Sequence, residues 1–380
     1  MQLNNLPDVS FAKKDAEIII NELISDYEQA FFEQTGQRKK LYPGDPIRIF
    51  LYSQALREFQ LRQVIDFSAK QNLLKYSQGE YLENLAASRP QRVERLEDTK
   101  ARVSVKFVLS SVQPVTITIP IGTRAGPGND IYFETIKNVD IPAGESETIV
   151  TTECLTAGVA GNNFTPGQIN VLIDPLPWVE SVTNTETSQG GAEREDDESL
   201  RERIWLAPES YSVAGPEGAY IFFAKEYSST IEDVVVTSPS GGVIDIRVLL
   251  SDGEIPETTF LEGLKSHLSA KDKRPLTDNV ITGAPEQVGY NIDLTYYIPS
   301  FHSSQNTTIQ ENVSKAIEDF VKWQKTKQGR DINPSELISR IIQAGAKRVD
   351  VQSPNYRQLD KTEVAKAETI NINYGGLEDD

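Results

Sequence analysis

Residues 190–223 read GGAEREDDESLRERIWLAPESYSVAGPEGAYIFF, and the parsing of the whole chain turns on them. Gly190-Gly191 closes a Thr/Ser-rich stretch. The acidic run from Glu193 to Glu198 then opens a charged helix, because carboxylates are stabilised at a helix N-terminus. Gly215-Pro216-Glu217-Gly218-Ala219-Tyr220 is a turn that starts a second helix. No side chains here are arranged for chemistry. The stretch reads as a hinge between a β-rich middle and an α+β end, and it points to an assembly part rather than an enzyme.

Upstream, residues 10–98 carry helical spacing. Ala16, Ile19, Leu23, Tyr27 and Ala30 recur at steps of three and four. Tyr42-Pro43-Gly44-Asp45-Pro46 is a turn, with Asp45 placed to cap the next helix and Pro46 suited to its first turn. Ile65, Ala69, Leu73 and Tyr76 form a second stripe. Gly79 stops that helix, and Tyr81, Leu82 and Leu85 begin a third. Such narrow faces build a modest core. Use of these helices as an interface is as well supported as use as an internal core, since permanent interfaces resemble a core cut in two.

The period changes to two at residue 101. Val103, Val105 and Phe107 alternate with Ser104 and Lys106, and Val115, Ile117 and Ile119 with Thr116 and Thr118. Ile119-Pro120-Ile121-Gly122 is echoed by Ile141-Pro142-Ala143-Gly144. In each, proline ends ladder bonding and glycine supplies a turn. These features predict a small sandwich or barrel. Residues 174–192 read as a linker or crossing strand. Residues 180–192 and Gly215-Pro216 are the hinge candidates.

Downstream, Val234 and Val236 lead through Ser238–Gly242 to Ile244, Ile246, Val248 and Leu250, a hairpin. Phe260, Leu264 and Leu268 mark a helix. Val288, Tyr290, Ile292, Leu294, Tyr296 and Ile298 give the longest alternation in the chain. Thr308 and Glu311 have capping-box spacing, and Asn333-Pro334-Ser335-Glu336 is a helix start. Val349, Val351 and Thr369–Tyr374 read as strands, and the tail Leu377–Asp380 as frayed. The predicted fold class is multidomain α+β: helices over 1–99, a β-rich domain over 100–180, linker and hinge helices over 181–228, and a mixed sheet with helices on one face over 229–380.

The 380 residues include 38 Lys+Arg and 56 Asp+Glu, a net charge of −18. That balance argues against nucleic-acid and anionic-membrane partners, which need clustered cations, and favours protein partners. A lone cysteine, Cys154, excludes an internal disulfide. The N-terminus lacks the pattern of a signal peptide, and no apolar run reaches the length of a membrane span. Folding in a cytoplasm is the expectation.

Candidate chemistry is sparse. No phosphate-cradling glycine motif occurs, and Gly126-Pro127-Gly128 reads as a turn. His267 and His302 have no metal-ligand neighbours in sequence. Cys154 reads as a small buried apolar residue. Glu193, Glu195, Asp196, Asp197 and Glu198 lack the spacing of a calcium loop and read as helix N-terminal carboxylates, with Arg201 and Arg203 placed to pair with Asp197 and Ser199 or to reach a partner. No catalytic, cofactor-binding or metal residue is assigned, and no cofactor is expected.

The motifs in order are Gly79-Glu80-Tyr81-Leu82-Glu83-Asn84-Leu85-Ala86, the Ile-Pro-x-Gly units, Asp197–Ile204, Gly215–Tyr220, the 234–250 hairpin, Arg274-Pro275-Leu276-Thr277-Asp278 and the Val288–Ile298 strand. Together they resemble the baseplate J-like family of contractile phage tails and related injection systems over nearly the whole chain. The resemblance implies a non-enzymatic, inner-wedge baseplate protein of a virion tail or phage-derived particle, assembled in the bacterial host cytoplasm. Implied partners are other baseplate wedge proteins and further copies of itself, with a sheath initiator and a hub protein beyond them, in a six-fold hetero-oligomer. It implies a wedge-bundle role for 1–99, a ring-forming role for 229–380, and control of sheath contraction. The alternative is a carbohydrate- or surface-binding tail appendage, for which residues 101–173 offer only Phe107, Tyr132, Phe133 and Phe164; Phe107 and Phe133 fall on inward faces. A cell-wall hydrolase would need paired carboxylates in a cleft, and no such pair is recognisable.

Overall fold

The computed structural model describes residues 3–211 and 216–379. The chain divides into two compact units, Met1–Glu94 with Asp197–Trp205, and Arg95–Asp196 with Leu206–Asp380. Of the hinge candidate Gly215-Pro216, Gly215 lies outside the described residues.

The first unit is helical. Helix α1 (Ala16–Thr35) starts at Asp15, whose carboxylate accepts from the N–H groups of Glu17 and Ile18, and ends at Gly36 with φ 69°. Helix α2 (Pro46–Lys70) starts at the expected Asp45-Pro46 pair, Asp45 accepting from the Ile47 N–H at 2.9 Å. Helix α3 is Gly79–Ala87 and helix α4 Asp197–Leu206. Ile19, Ile20, Leu41, Leu51 and Ala55 form the core, with Leu23, Ile24 and Tyr27 against it. The first stripe is thus confirmed at Ile19, Leu23 and Tyr27, while Ala16 and Ala30 are exposed. The second stripe is corrected: α2 ends at Lys70, and Ile65 points to solvent. The inward position beside it belongs to Asp66, which is buried.

In the second unit, strands β1 (Lys100–Leu109), β2 (Ile117–Ile119), β3 (Arg124–Gly126), β4 (Phe133–Thr135), β5 (Val139–Ile141), β6 (Glu147–Ala157), β7 (Val171–Leu172) and β8 (Val179–Asn184) build a barrel-like middle. The main sheet runs β7-β3-β4-β6-β1-β8. The two Ile-Pro-x-Gly units end strands that pair with each other, Ile117 opposite Ile141 and Ile119 opposite Val139. Gly122 and Gly144 then turn with φ 81° and 94°. Val115, expected in the strand, is exposed.

Residues 180–192, read as a linker, are paired into the barrel in this structure. β8 pairs with β1 from Val105 opposite Asn184. Arg102 donates its N–H to Gln189 at 2.7 Å and Thr99 to Ala192 at 2.9 Å. A Cβ on Gly191 would sit 2.3 Å from the Gly158 carbonyl oxygen. Gly191 therefore permits close backbone approach. Composition alone resembles a linker because Ser, Thr and Gly also serve where backbones meet.

Strands β9 (Ile231–Ser240) and β10 (Val243–Leu250) form the predicted hairpin, and β11 (Asn279–Gly283) adds parallel to β10. Helices α5 (Glu217–Tyr227) and α6 (Thr258–Leu268) pack on this sheet through Tyr220, Ala224, Phe260, Leu264 and Leu268. The last sheet has β12 (Glu286–Pro299) at its centre, β13 (Arg348–Ser353) antiparallel on one side and β14 (Glu363–Glu378) parallel on the other. Helices α7 (Asn306–Lys325) and α8 (Pro334–Gln343) cover one face through Ile309, Val313, Ile317, Phe320, Leu337 and Ile341. The fold is multidomain α+β with a mixed C-terminal sheet, as the patterning predicts. Asn333 caps α8, accepting from the Ser335 N–H at 3.0 Å. The Thr308–Glu311 capping box does not form. A 3-10 turn, Ser300–Gln305, runs straight into α7, so the helix starts before Thr308 and has no side-chain cap. The tail is likewise corrected: Leu377 and Glu378 end β14, and Asp380 lies outside the described residues.

Candidate assembly surfaces

The residues with chemical potential are each held in structural contacts. Cys154 is fully buried between β1, β4 and the Val159–Gly161 turn, and burial raises its thiol pKa. His267 lies beside Glu226 and Lys273, its Nε2 2.8 Å from Lys273 Nζ. The hydrogen bond from His267, joined by Lys273, holds the Glu226 pKa down at about 2 against the opposing effect of burial. His302 sits in the turn before α7. Among the described residues, no group of three or more His, Cys, Asp and Glu side chains could hold a metal, and no helix is long and apolar enough to cross a membrane. Phe107 and Phe133 are fully buried in the barrel, where Phe164 meets Phe133 edge-on at 6.0 Å.

The acidic run is dispersed into joints. Glu195 is buried and accepts from the Leu96 N–H at 3.0 Å. Asp197 accepts from the Gly79 N–H at 2.9 Å, which fastens α4 to the start of α3. Arg201 pairs with Glu198, and it donates to the Leu74 and Ser77 carbonyls at 2.9 and 2.8 Å. Arg203 is buried and donates to the Glu94 carbonyl. These arginines clasp α4 to the N-terminal helices. Charge alternation could not reveal that, because the acceptors are backbone carbonyls 109 to 127 residues away.

The helical unit turns a large apolar surface outward. On α2, Ile49, Leu56, Leu61 and Val64 are between 60% and 63% exposed, and Phe50 and Phe67 are exposed too. Phe67 meets Tyr81 of α3 edge-on at 6.2 Å, continuing the surface. Leu51 and Ala55 on the opposite side already fill the unit's own core. Apolar patches of this size are a recurrent feature of interaction surfaces. The signal was present in sequence: α2 carries apolar residues all round, and such a helix needs burial on both sides. At the far end, Asp66 accepts from the Phe11 N–H at 2.7 Å and pairs with Lys14 and Lys70. These bonds, led by Lys14, hold its carboxyl far below the usual range and tie the N-terminal segment along α2.

The C-terminal sheet offers a second surface. The outer half of β14 is uncovered, with Ile370, Ile372, Tyr374 and Leu377 exposed. Ile370, Ile372 and Tyr374 lie in register with Ile292, Leu294 and Tyr296 of β12, on the face that α7 covers only in part. The ring of Tyr374 rests 5.6 Å from that of Tyr296. These surfaces can bind apolar or strand-forming partners.

Comparison with known families and proteins fits this geometry. Residues 104–191 match the family described as baseplate J-like protein barrel domain, 212–284 the baseplate J-like central domain, and 290–373 the baseplate J-like protein C-terminal domain. The chain is 30% identical over 161 residues to baseplate protein J of Escherichia phage P2, covering 42% of this chain and 52% of the relative. It is 31% identical over 193 residues to protein YqbT of Bacillus subtilis strain 168, half of each chain. The chain thus spans about half the length of the curated relatives it matches. A chain in the six-fold symmetrised baseplate of the anti-feeding prophage aligns with 95% of this chain and 100% of its own, at 11% identity and a TM-score of 0.40, a similarity too loose to fix the fold. Three successive domain matches in their family order, with the curated relatives in agreement, show that the chain belongs to the baseplate J-like family.

Proposed function

We propose that this chain is a structural wedge component of a contractile-tail baseplate, in a phage or a phage-derived particle. It assembles in the host cytoplasm around the tail hub and links wedges into a ring that controls sheath contraction. Its family membership supports a structural, non-enzymatic role. The observation that carries the reading is the outward apolar face of α2, which the unit itself leaves unburied. Helices of residues 1–99 would bury that face against other wedge proteins. Residues 229–380 would meet neighbouring copies, with a sheath initiator and the hub protein as further contacts.

Co-purification with a wedge partner tests this. Removal of residues 1–98 is expected to abolish capture of the other wedge protein while the barrel still folds. Full capture by the shortened chain would contradict the assignment.

A further inference from the structure

We propose that the free edge of β14 pairs antiparallel with the same edge of a second copy, about a two-fold axis at Ile372. This rests on the assembly reading above and names the partner of the C-terminal surface. The sheet order β13-β12-β14 leaves the outer backbone of β14 unpaired among the described residues. Unpaired edges invite strand addition, and proteins blunt them with short strands, charges, proline or bulges. The opposite edge is blunted: β13 is only 6 residues long, carries Arg348 and Asp350, and is followed by Pro354. β14 runs for 16 residues; its two register irregularities and its charges Lys366, Glu368 and Glu378 lie outside Ile370–Tyr374, which contain no charge and no proline.

Self-pairing is favoured by the order of residues. The register to β12 is regular over Ile370–Tyr374 and is irregular on each side, between Ala367 and Ile370 and between Tyr374 and Leu377. An axis at Ile372 sets Ile370 opposite Tyr374, Asn371 opposite Asn373, and one irregular segment opposite the other. Apolar side chains then meet apolar ones on the helix-bearing face. Lys366 at one end falls opposite Glu378 at the other, an opposite-charge pair in which Glu378 also accepts from Arg348 of its own chain. A parallel arrangement in the same register would stack Lys366 on Lys366 and Glu368 on Glu368. The two-fold contact is isologous and closes on itself. It covers the groove between Tyr374, Ile372 and α7, where Glu311 and Lys315 form a rim of both signs.

Cysteine pairing on the full chain reads this directly. Opposite residues in an antiparallel pair lie about 4.5–5.5 Å apart, within disulfide reach. Ile372→Cys should give a disulfide dimer under mild oxidation. The parent chain should not, because Cys154 is buried. Lys366→Cys and Glu378→Cys should each stay monomeric on a denaturing gel and crosslink only when the two chains are mixed. The parent should sediment as a dimer at about 10 µM, and Ile372→Lys should weaken that dimer on the order of 30-fold or more. A monomeric parent, no crosslink in the Ile372→Cys chain, or self-crosslinking of the Lys366→Cys chain overturns the proposal. Co-sedimentation of the same chains with tail particles reports separately on the assembly reading. An Ile372→Cys chain that binds particles yet never crosslinks sinks the edge pairing alone, whereas a parent absent from particles sinks the assembly reading.

Discussion

The helical unit and the barrel draw on the same apolar residues and use them in opposite senses. In the barrel, Val103, Val105, Phe107 and Phe133 are fully buried, so the inward apolar faces of these strands are satisfied within the domain, although Ile149 and Leu155 of β6 stay exposed. In the helical unit, only Leu51 and Ala55 among the apolar residues of α2 are buried, with Ile47 and Phe59 packed partly against them, while Ile49, Phe50, Leu56, Leu61, Val64, Ile65 and Phe67 are exposed. The difference follows from geometry. A barrel of short strands closes on its own interior. A long helix that packs chiefly on one partner helix keeps a second side largely uncovered within the unit. The barrel thus hides most of its apolar surface within itself, and α2 leaves much of its own exposed.

This contrast can be broken most directly by cutting side chains on its two sides. Phe133→Ala should cost the barrel about 3–5 kcal/mol, the usual range for a large buried aromatic. Hydrogen exchange of β4 and β6 amides is the suitable readout, since a multidomain chain does not unfold in one step. Leu56→Glu should leave the isolated chain within about 0.5 kcal/mol of its parent, yet weaken capture of a wedge partner on the order of 30-fold, measured by titration. Equal losses of stability at both sites would erase the distinction. At the barrel's turns, Gly144→Ala has open space around its Cβ but must hold φ 94°. It should cost about 1–2 kcal/mol from backbone strain alone, seen as earlier chemical unfolding of the barrel.

The smallest effect concerns pH. The Asp66 carboxyl is held low by Lys14, the Phe11 N–H and Lys70. A depressed folded pKa gives stability that is fully present above the unfolded carboxylate value of about 3.9 and is lost as pH falls toward and through the folded value. Acid unfolding of the helical unit should lose part of this steepness in Asp66→Asn. Identical acid titrations of parent and variant would show that the clasp does not contribute. The partly exposed lysines keep the effect modest.

Several elements were legible because their signals are local. The alternation at Val103–Phe107 and at Val288–Ile298 needs only neighbours two apart, and both strands form. Asp45-Pro46 and Asn333-Pro334 cap their helices with bonds two residues long. The misreadings all involve distant partners or the segment just upstream. Asp66 takes the inward place beside Ile65 because Phe11 and Lys14, over 50 residues away, satisfy it. The Gly190-Gly191 break mimics a linker, but Gly158, Asn162 and Ala101 crowd Gly191. Thr308 fails as a cap because the turn before it is already helical. The candidate surface on α2 was half legible: the apolar excess was visible, whereas the side already in use was not.

By itself, the sequence determined periods, turns and caps, because those follow from bonds and side chains a few residues apart. It thereby set the α+β class and the order of its parts. Which apolar face is spent inside, which carboxylate is buried against a lysine, and which strand edge is left open were decided by tertiary structure alone. Each depends on groups distant along the chain that come together only when it folds, and no local pattern encodes whether such a partner will be there.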